Sequence, residues 1–468
     1  MPTLVFVALF FICYLLTFNR FLDHAYSYFA LTATACLLAV TLARFVLQGF
    51  KRLLPLWVIF AVFICCYYLK FYAIVIWPDL MIYVPMPMAY NPAAAAPANL
   101  MRVYELTTLG FCGFFVAAVA VHYFDRAIID SARVAPSREA ACAAVFLGVA
   151  LSVLTNIVML RYGMTMGSPV RTTLPFHLRG VVLLSRKTLI PMLMLLGVQY
   201  AFQSRDRLLG AIGGLLAILY GVSNVVFLGS KAGIAHILLQ IAFLPFLLGY
   251  RIRPVRAALV GALAVLSVAA AYPLAGAFRE AHAVGLGLSD SLKLANSVGI
   301  DSESLARMLV MRLTGVDAFT VVVDAEPKPV GMKFWGIAQS YPNGFGGYVN
   351  EEVLGVPSDL SESGIWAVAP SLLGTLYVLD GRTGVFVGTA LFTLLVSFLW
   401  LWLRDKSLLS GPVVQTVFLE VVVLGTATDG ALGLELRSEL PFFLISVALL
   451  EVVARVGFAQ KLWKASEV

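Results

Sequence analysis

Nine cations, Arg161, Arg171, Arg179, Arg186, Lys187, Lys231, Arg279, Arg312 and Arg382, stand inside or beside long apolar runs in a chain that is 61% hydrophobic and 13% charged. A charge near a membrane core is costly unless it finds a partner. Two kinds of partner fit: lipid headgroups reached by snorkelling, or an anionic ligand held among the side chains. The case for a ligand is strongest at two positions. Arg186 lies a few residues inside an apolar run that starts near Val182. Lys231 lies in Gly229-Ser230-Lys231-Ala232-Gly233, where small residues let the backbone approach a phosphate and the lysine supplies charge. The spacing is not that of a Walker loop, and no strand precedes it.

Candidates for proton transfer stand close to these cations in the sequence. Arg312 and Asp317 are separated by Leu313-Thr314-Gly315-Val316, so a break at Gly315 can turn the carboxylate toward the arginine. That pairing reads either as a phosphate-binding arginine beside a base or as a structural ion pair. His282, three residues after Arg279, is the best placed of the outward histidines (with His24 and His177) to deprotonate a hydroxyl near neutral pH; an inert loop histidine is the other reading. Tyr341, Tyr348 and Trp366, with Trp335 and Phe345, offer aromatic faces to sugars. No HExxH, CxxC pair or GxSxG is present. Asp324-Ala325-Glu326 and Glu351-Glu352 read as solvated turns, so neither a metal nor a cofactor is expected. Arg44, Lys70 and Glu420 fall within apolar runs and are expected in intramembrane pairs, with partners unassigned.

These residues need a scaffold, and the composition dictates its class. Soluble domains are about 45–50% apolar and about 25% charged, so this chain is read as an all-α polytopic membrane protein. The net charge of +7 is spread in small groups flanking apolar runs, which encodes orientation and argues against nucleic acid as a partner. Apolar runs near 3–18, 28–48, 56–77, 103–123, 140–160, 182–202, 209–228, 234–250, 257–278, 385–403, 412–428 and 440–457 predict about twelve spans. The first run lacks a basic flank and a cleavage signature, so it reads as a span rather than a signal peptide. All six cysteines lie in apolar runs and read as small hydrophobes.

If the spans alternate, Lys51-Arg52, Arg126 to Arg138, Arg205 and Arg207, Arg251 to Arg256, Arg404 and Lys406, and Lys461 and Lys464 share one side with both termini, which is then cytoplasmic. Three parts follow: an N-terminal bundle of about nine spans (1–278), a long outer loop (279–384) and three C-terminal spans with a cytoplasmic tail (385–468). Within the loop, Asp301-Ser302-Glu303 caps a predicted helix that ends at Gly315. The stretch 341–348 carries turn chemistry, and 366–379 is too short to span and reads as re-entrant or interfacial.

Taken together, Ser185-Arg186-Lys187, Gly-Ser-Lys-Ala-Gly at 229–233, a span ending in Arg279, the Arg312 to Asp317 segment and the Ser-Gly-x5-Pro-x3-Gly stretch from Ser363 to Gly374 resemble the Wzy-type O-antigen or oligosaccharide repeat-unit polymerases. The similarity covers roughly 170–405. It implies a metal-independent glycosyltransferase of the bacterial inner membrane, with its active site facing the periplasm, that joins repeat units carried on undecaprenyl diphosphate. On that resemblance Arg186, Lys231, Arg279 and Arg312 hold the lipid diphosphate, although the family often has arginine at the position of Lys231. Asp317 or His282 takes the proton, and Tyr341, Tyr348 and Trp366 contact glycan. The expected partners are the lipid-linked glycan, membrane lipids and a chain-length regulator. An O-antigen ligase using the same donor and a lipid-glycan flippase are the alternatives.

Overall fold

A computed structural model describes residues 2–48, 53–78, 96–124, 136–162, 178–228, 233–250, 315–341, 344–357, 370–406, 408–430 and 438–466, with isolated positions between 259 and 293. Among the described residues there is no strand, and eight stretches are long and apolar enough to cross a membrane. Leucine-rich and phenylalanine-rich exteriors such as Leu4, Phe11, Phe146 and Leu391 remain exposed, which suits contact with lipid rather than water. The chain is therefore a multi-pass α-helical membrane protein.

The first stretch, Leu4–Arg44, is not one rod. A 3-10 segment at Phe18–His24, with Phe21 at φ −122° and ψ 29°, folds Pro2–Thr17 back on Ala25–Gln48. Stacking of Tyr14 on Tyr28 and a 2.5 Å hydrogen bond between the Thr17 and Tyr28 hydroxyls close that hairpin. The helices Leu54–Ile76 and Pro97–Phe124 form the centre, their Tyr67, Tyr68, Tyr72, Tyr104, Phe111 and Phe114 fully enclosed. Around them stand Arg138–Tyr162, Leu178–Ser204, Arg207–Leu228, Gly233–Leu247, Gly411–Thr428 and Leu440–Ser466.

The segment after Pro370 has a geometry of its own. Ser371–Thr383 is helical until Asp380 and Gly381, where Gly381 takes φ +56° and ψ −136°, and the chain reverses into the helix Thr389–Asp405. The reversal brings Leu376 against Gly384 and Gly388: a Cβ on Gly384 would lie 2.2 Å from the Leu376 carbonyl oxygen. The same hairpin meets Pro97–Phe124 at Gly113, where a Cβ would lie 2.2 Å from the Phe386 carbonyl oxygen. Small residues at such contacts let helices approach to backbone distance.

The glycine-rich stretch read as turns is more helical than its composition suggests. Gly331–Lys333 and Phe334–Ser340 lead to Gly344–Tyr348 and a π turn at Val349–Val353. Gly344 at φ +62° opens the second of these short helices, and packing of Phe334 on Phe345, 4.8 Å between centroids, holds the two together. Tertiary contact overrides weak helix propensity here. The predicted helix of 301–313 lies outside the described residues.

Candidate functional site

Among the described residues, four π turns, at Phe63–Leu69, Ser185–Leu189, Gly384–Gly388 and Phe418–Leu424, interrupt the spans. Such a turn frees a carbonyl and rotates the side chains that follow it, and it recurs at functional sites. Arg186, Lys187 and Glu420 lie within these turns, and Lys70 follows one directly. In the second, the Arg186 carbonyl accepts a hydrogen bond from the Tyr220 hydroxyl.

Arg186 is 2% exposed, and among the described residues all of its hydrogen-bond acceptors are neutral. Its Nε donates to Asn224 Oδ1 at 3.0 Å, Nη1 to Thr155 Oγ1 at 3.0 Å and to Asn156 Oδ1, and Nη2 to Ser223 Oγ at 3.0 Å and Asn224 Oδ1 at 2.6 Å. The guanidinium carbon also lies 5.3 Å from the centre of the Tyr220 ring. Among the described residues no carboxylate lies within ion-pair distance of it. Asn156, Ser223 and Asn224 are half-buried. With each amide oxygen turned to Arg186, the amide NH2 groups are left to donate, that of Asn224 in part to the Tyr220 hydroxyl, so an approaching anion meets neutral donors backed by a buried charge that no carboxylate among the described residues neutralises.

Lys187 lies 2.5 Å from Glu439 Oε2 in an ion pair. Glu420, 5% exposed at its side chain, receives His236 Nδ1 at 2.8 Å and Gln240 Nε2 at 2.9 Å, and Lys187 is within its electrostatic reach. Together with Arg186 and its partners Asn156 and Asn224, these residues come from six separate helices. Arg186, Lys187, Asn156, Asn224, His236, Glu420 and Glu439 nevertheless all lie toward the same helix ends, those at 162, 178, 228, 233, 428 and 438. Helices that alternate in direction place those ends on one membrane side, the side assigned above as outer.

Lys70 finds its partner in Asp317, Nζ to Oδ2 3.6 Å, with both side chains at most 1% exposed. Gly315 opens the helix Val316–Asp324 against the Cys66 carbonyl oxygen, 2.8 Å from where a Cβ would stand. Its amide donates to Asp317 Oδ1 at 3.3 Å. This short helix lies outside the span-length stretches. Burial pushes the Asp317 carboxyl above its ordinary value, and Lys70 and the amides at the helix start pull it part of the way back. A carboxylate so enclosed faces Lys70 rather than a sugar hydroxyl. Arg382 pairs with Glu105 at 3.2 Å, and Arg102 with Glu326 at 2.6 Å.

Two cavities share Met332. One, of about 760 Å³, is an apolar groove along Gly388, Leu391, Phe392, Leu395, Val396 and Leu399, a stripe at helical spacing, with Trp335 and Leu440 on its walls. Leu440 directly follows Glu439, the partner of Lys187. The other, of about 510 Å³, is bordered by Lys333, Tyr341 and Tyr348. Tyr341 meets Tyr348 edge-on, 5.7 Å between centroids, and its hydroxyl donates to Glu352 Oε1 at 2.9 Å. Partial burial and that bond push the Tyr341 hydroxyl up to about 12, keeping it a donor.

Of the residues singled out in the sequence, Tyr341 and Tyr348 share one cleft, whereas Arg186 and Asp317 stand in different polar clusters. Lys231, Arg279, His282, Arg312 and Trp366 lie outside the described residues. Sequence reasoning missed Asn156, Asn224, His236 and Glu439; Glu420 carried a signal as a charge in an apolar run, and His236 stands five residues beyond Lys231. Among the described residues no group of three or more His, Cys, Asp or Glu is placed to hold a metal ion. No family model, curated protein or solved structure matches the chain.

Proposed function

We propose that the chain is a glycosyltransferase of the bacterial inner membrane that polymerises oligosaccharide repeat units carried on undecaprenyl diphosphate at the periplasmic face. The observation that carries this reading is the course of the apolar groove. It meets the aromatic cleft of Tyr341 and Tyr348 at Met332, and at Leu440 it adjoins Glu439, the ion-pair partner of Lys187, the neighbour of Arg186 in the chain. A lipid-linked glycan has these three chemistries in one molecule: a hydrocarbon chain, an anion and sugar rings. The hydrocarbon suits a groove along a membrane span, and stacked tyrosines suit sugar faces.

The reaction asks for little beyond placement. The anomeric carbon already bears a diphosphate, so the enzyme stabilises departing negative charge and accepts the proton of the attacking hydroxyl. Arg186 supports the first task through Asn156 and Asn224, a less direct contact than the fork-on-phosphate geometry expected from the sequence. Lys231, Arg279 and Arg312 keep their proposed place around the same diphosphate.

The test is incubation of the purified protein with the undecaprenyl-diphosphate-linked oligosaccharide that accumulates in cells deleted for its gene, with no other acceptor added. A ladder of polymer is expected. Transfer that needs added lipid A core would identify a ligase instead, and movement of the lipid across vesicles without any new glycosidic bond would identify a flippase.

A further inference from the structure

We propose that His236 is the proton acceptor of this site and that Glu420 is its positioning residue. The proposal rests on the glycosyl-transfer reading above and names the group that reading leaves open. Glu420 is buried, and both of its oxygens are engaged: Oε1 by His236 Nδ1 at 2.8 Å and Oε2 by Gln240 Nε2 at 2.9 Å. His236 and Gln240 are one turn apart on the same helix, so both reach one carboxylate from one face. The imidazole, in contrast, is 43% exposed at its side chain. Of the two members, the ring is the one that a substrate can reach.

The hydrogen bond also selects the tautomer. With Nδ1–H donating to Glu420, the neutral ring carries its lone pair on Nε2, and the carboxylate stabilises the imidazolium that forms when Nε2 takes a proton. Among the described residues, the charged groups facing this dyad are Lys187, within reach of Glu420, and Glu439, the partner of Lys187.

Cation and base belong to one site because their helices touch. Gly233 begins the helix of His236 directly against Asn224, which holds Arg186: a Cβ on Gly233 would lie 2.8 Å from the Asn224 Cβ. In the proposed step the acceptor hydroxyl oxygen bonds to the anomeric carbon and its proton passes to His236 Nε2. The bond from that carbon to the diphosphate oxygen breaks, and its electron pair leaves with the diphosphate on the Arg186 side. The proton is then released to water. No oxidant, reductant or further reactant is required.

The experiment uses the full-length protein and the lipid-linked oligosaccharide from deletion cells, with undecaprenyl diphosphate as the binding probe. His236→Ala is expected to lower the polymerisation rate by about 100-fold or more while binding undecaprenyl diphosphate as the wild type does, and added imidazole is expected to restore part of the rate. Glu420→Gln should slow the reaction and displace the acid limb of its pH profile, which a purely structural role would not move. Where the alanine variant fails to fold, His236→Gln, which keeps a donor for Glu420, replaces it. A His236 variant that polymerises at the wild-type rate, or one that imidazole never rescues, overturns the assignment and leaves glycosyl transfer standing. A wild-type protein that forms no glycosidic bond overturns both.

Discussion

The Lys70 ammonium lies 3.6 Å from Asp317 Oδ2, joining the central helix Leu54–Ile76 to the short helix Val316–Asp324 across 247 positions of sequence, with both side chains shut away from solvent. The pair fixes the start of that short helix against the aromatic centre of the bundle. A buried pair contributes modestly as a whole, but removing one partner strands the other.

Lys70→Met should therefore cost about 3–5 kcal/mol, read as a lower unfolding temperature in detergent. Removing both partners, as Lys70→Met with Asp317→Leu, should recover most of that loss. The sign of the pH dependence follows from burial, which raises the Asp317 pKa above its ordinary 3.8 in the folded protein. Without Lys70 the folded state binds more protons than the unfolded state above pH 3.8. The single variant should then lose stability as pH rises from there through the folded value. A Lys70→Met protein whose unfolding temperature climbs over that range contradicts this account.

Arg186 calls for the opposite test. Its acceptors are neutral, so a carboxylate placed among them should complete an ion pair. Asn224→Asp, a near-isosteric change at the residue receiving both Nε and Nη2, should leave the fold as stable as the wild type or stabler. The same change cancels the charge on which anion recognition depends and removes the amide NH2 donor. Binding of undecaprenyl diphosphate, measured by calorimetry or displacement, should fall at least tenfold, and polymer should disappear. Unchanged binding in Asn224→Asp would remove Arg186 from the diphosphate site.

How far the sequence revealed this arrangement depends on which separations its patterns encode. Apolar runs of span length located most described helices within a few residues, because hydrocarbon thickness imposes that length locally. The same reasoning flagged Lys70 and Glu420 as charges out of place. It could not supply Asp317 or His236, which lie 247 and 184 residues away, because no local periodicity records a contact between distant helices. Asn156 and Asn224 were illegible for a different reason: a neutral amide inside a span looks like any tolerated polar residue until the guanidinium it receives is in view. The reversal at Asp380 was half legible, in that 366–379 was too short to cross, yet the glycines at 384 and 388 acquire meaning when Leu376 is seen between them.

Orientation is open to direct labelling. In a background with the native cysteines replaced, Ser340→Cys and Ser204→Cys both sit at exposed positions on the sides assigned above as outer and cytoplasmic. A membrane-impermeant maleimide applied to intact spheroplasts should label the first and spare the second until the membrane is opened. Labelling of Ser204→Cys from outside would invert the topology and place the Arg186 and Glu420 cluster on the cytoplasmic side.

The helical hairpin at Asp380–Gly381 should depend on its glycines in a graded way. At Gly384 a Cβ would meet a backbone oxygen, the Leu376 carbonyl, at 2.2 Å, whereas at Gly388 it would meet the Leu376 side chain at 2.4 Å. Backbone cannot yield as a leucine tip can. Gly388→Ala should thus cost about 1–3 kcal/mol, the usual range for overpacking, and Leu376→Ala in the same chain should relieve part of that cost by emptying the space. Gly384→Ala should be the more damaging change and should gain nothing from Leu376→Ala, since the carbonyl remains. Leu376, Gly388 and Leu391 all border the apolar groove, so displacement of this hairpin should also weaken retention of the lipid-linked donor. Unfolding temperatures of the three single variants and the two doubles in one detergent decide the matter, and a rescue of Gly384→Ala by Leu376→Ala would show that the two helices do not meet backbone to backbone.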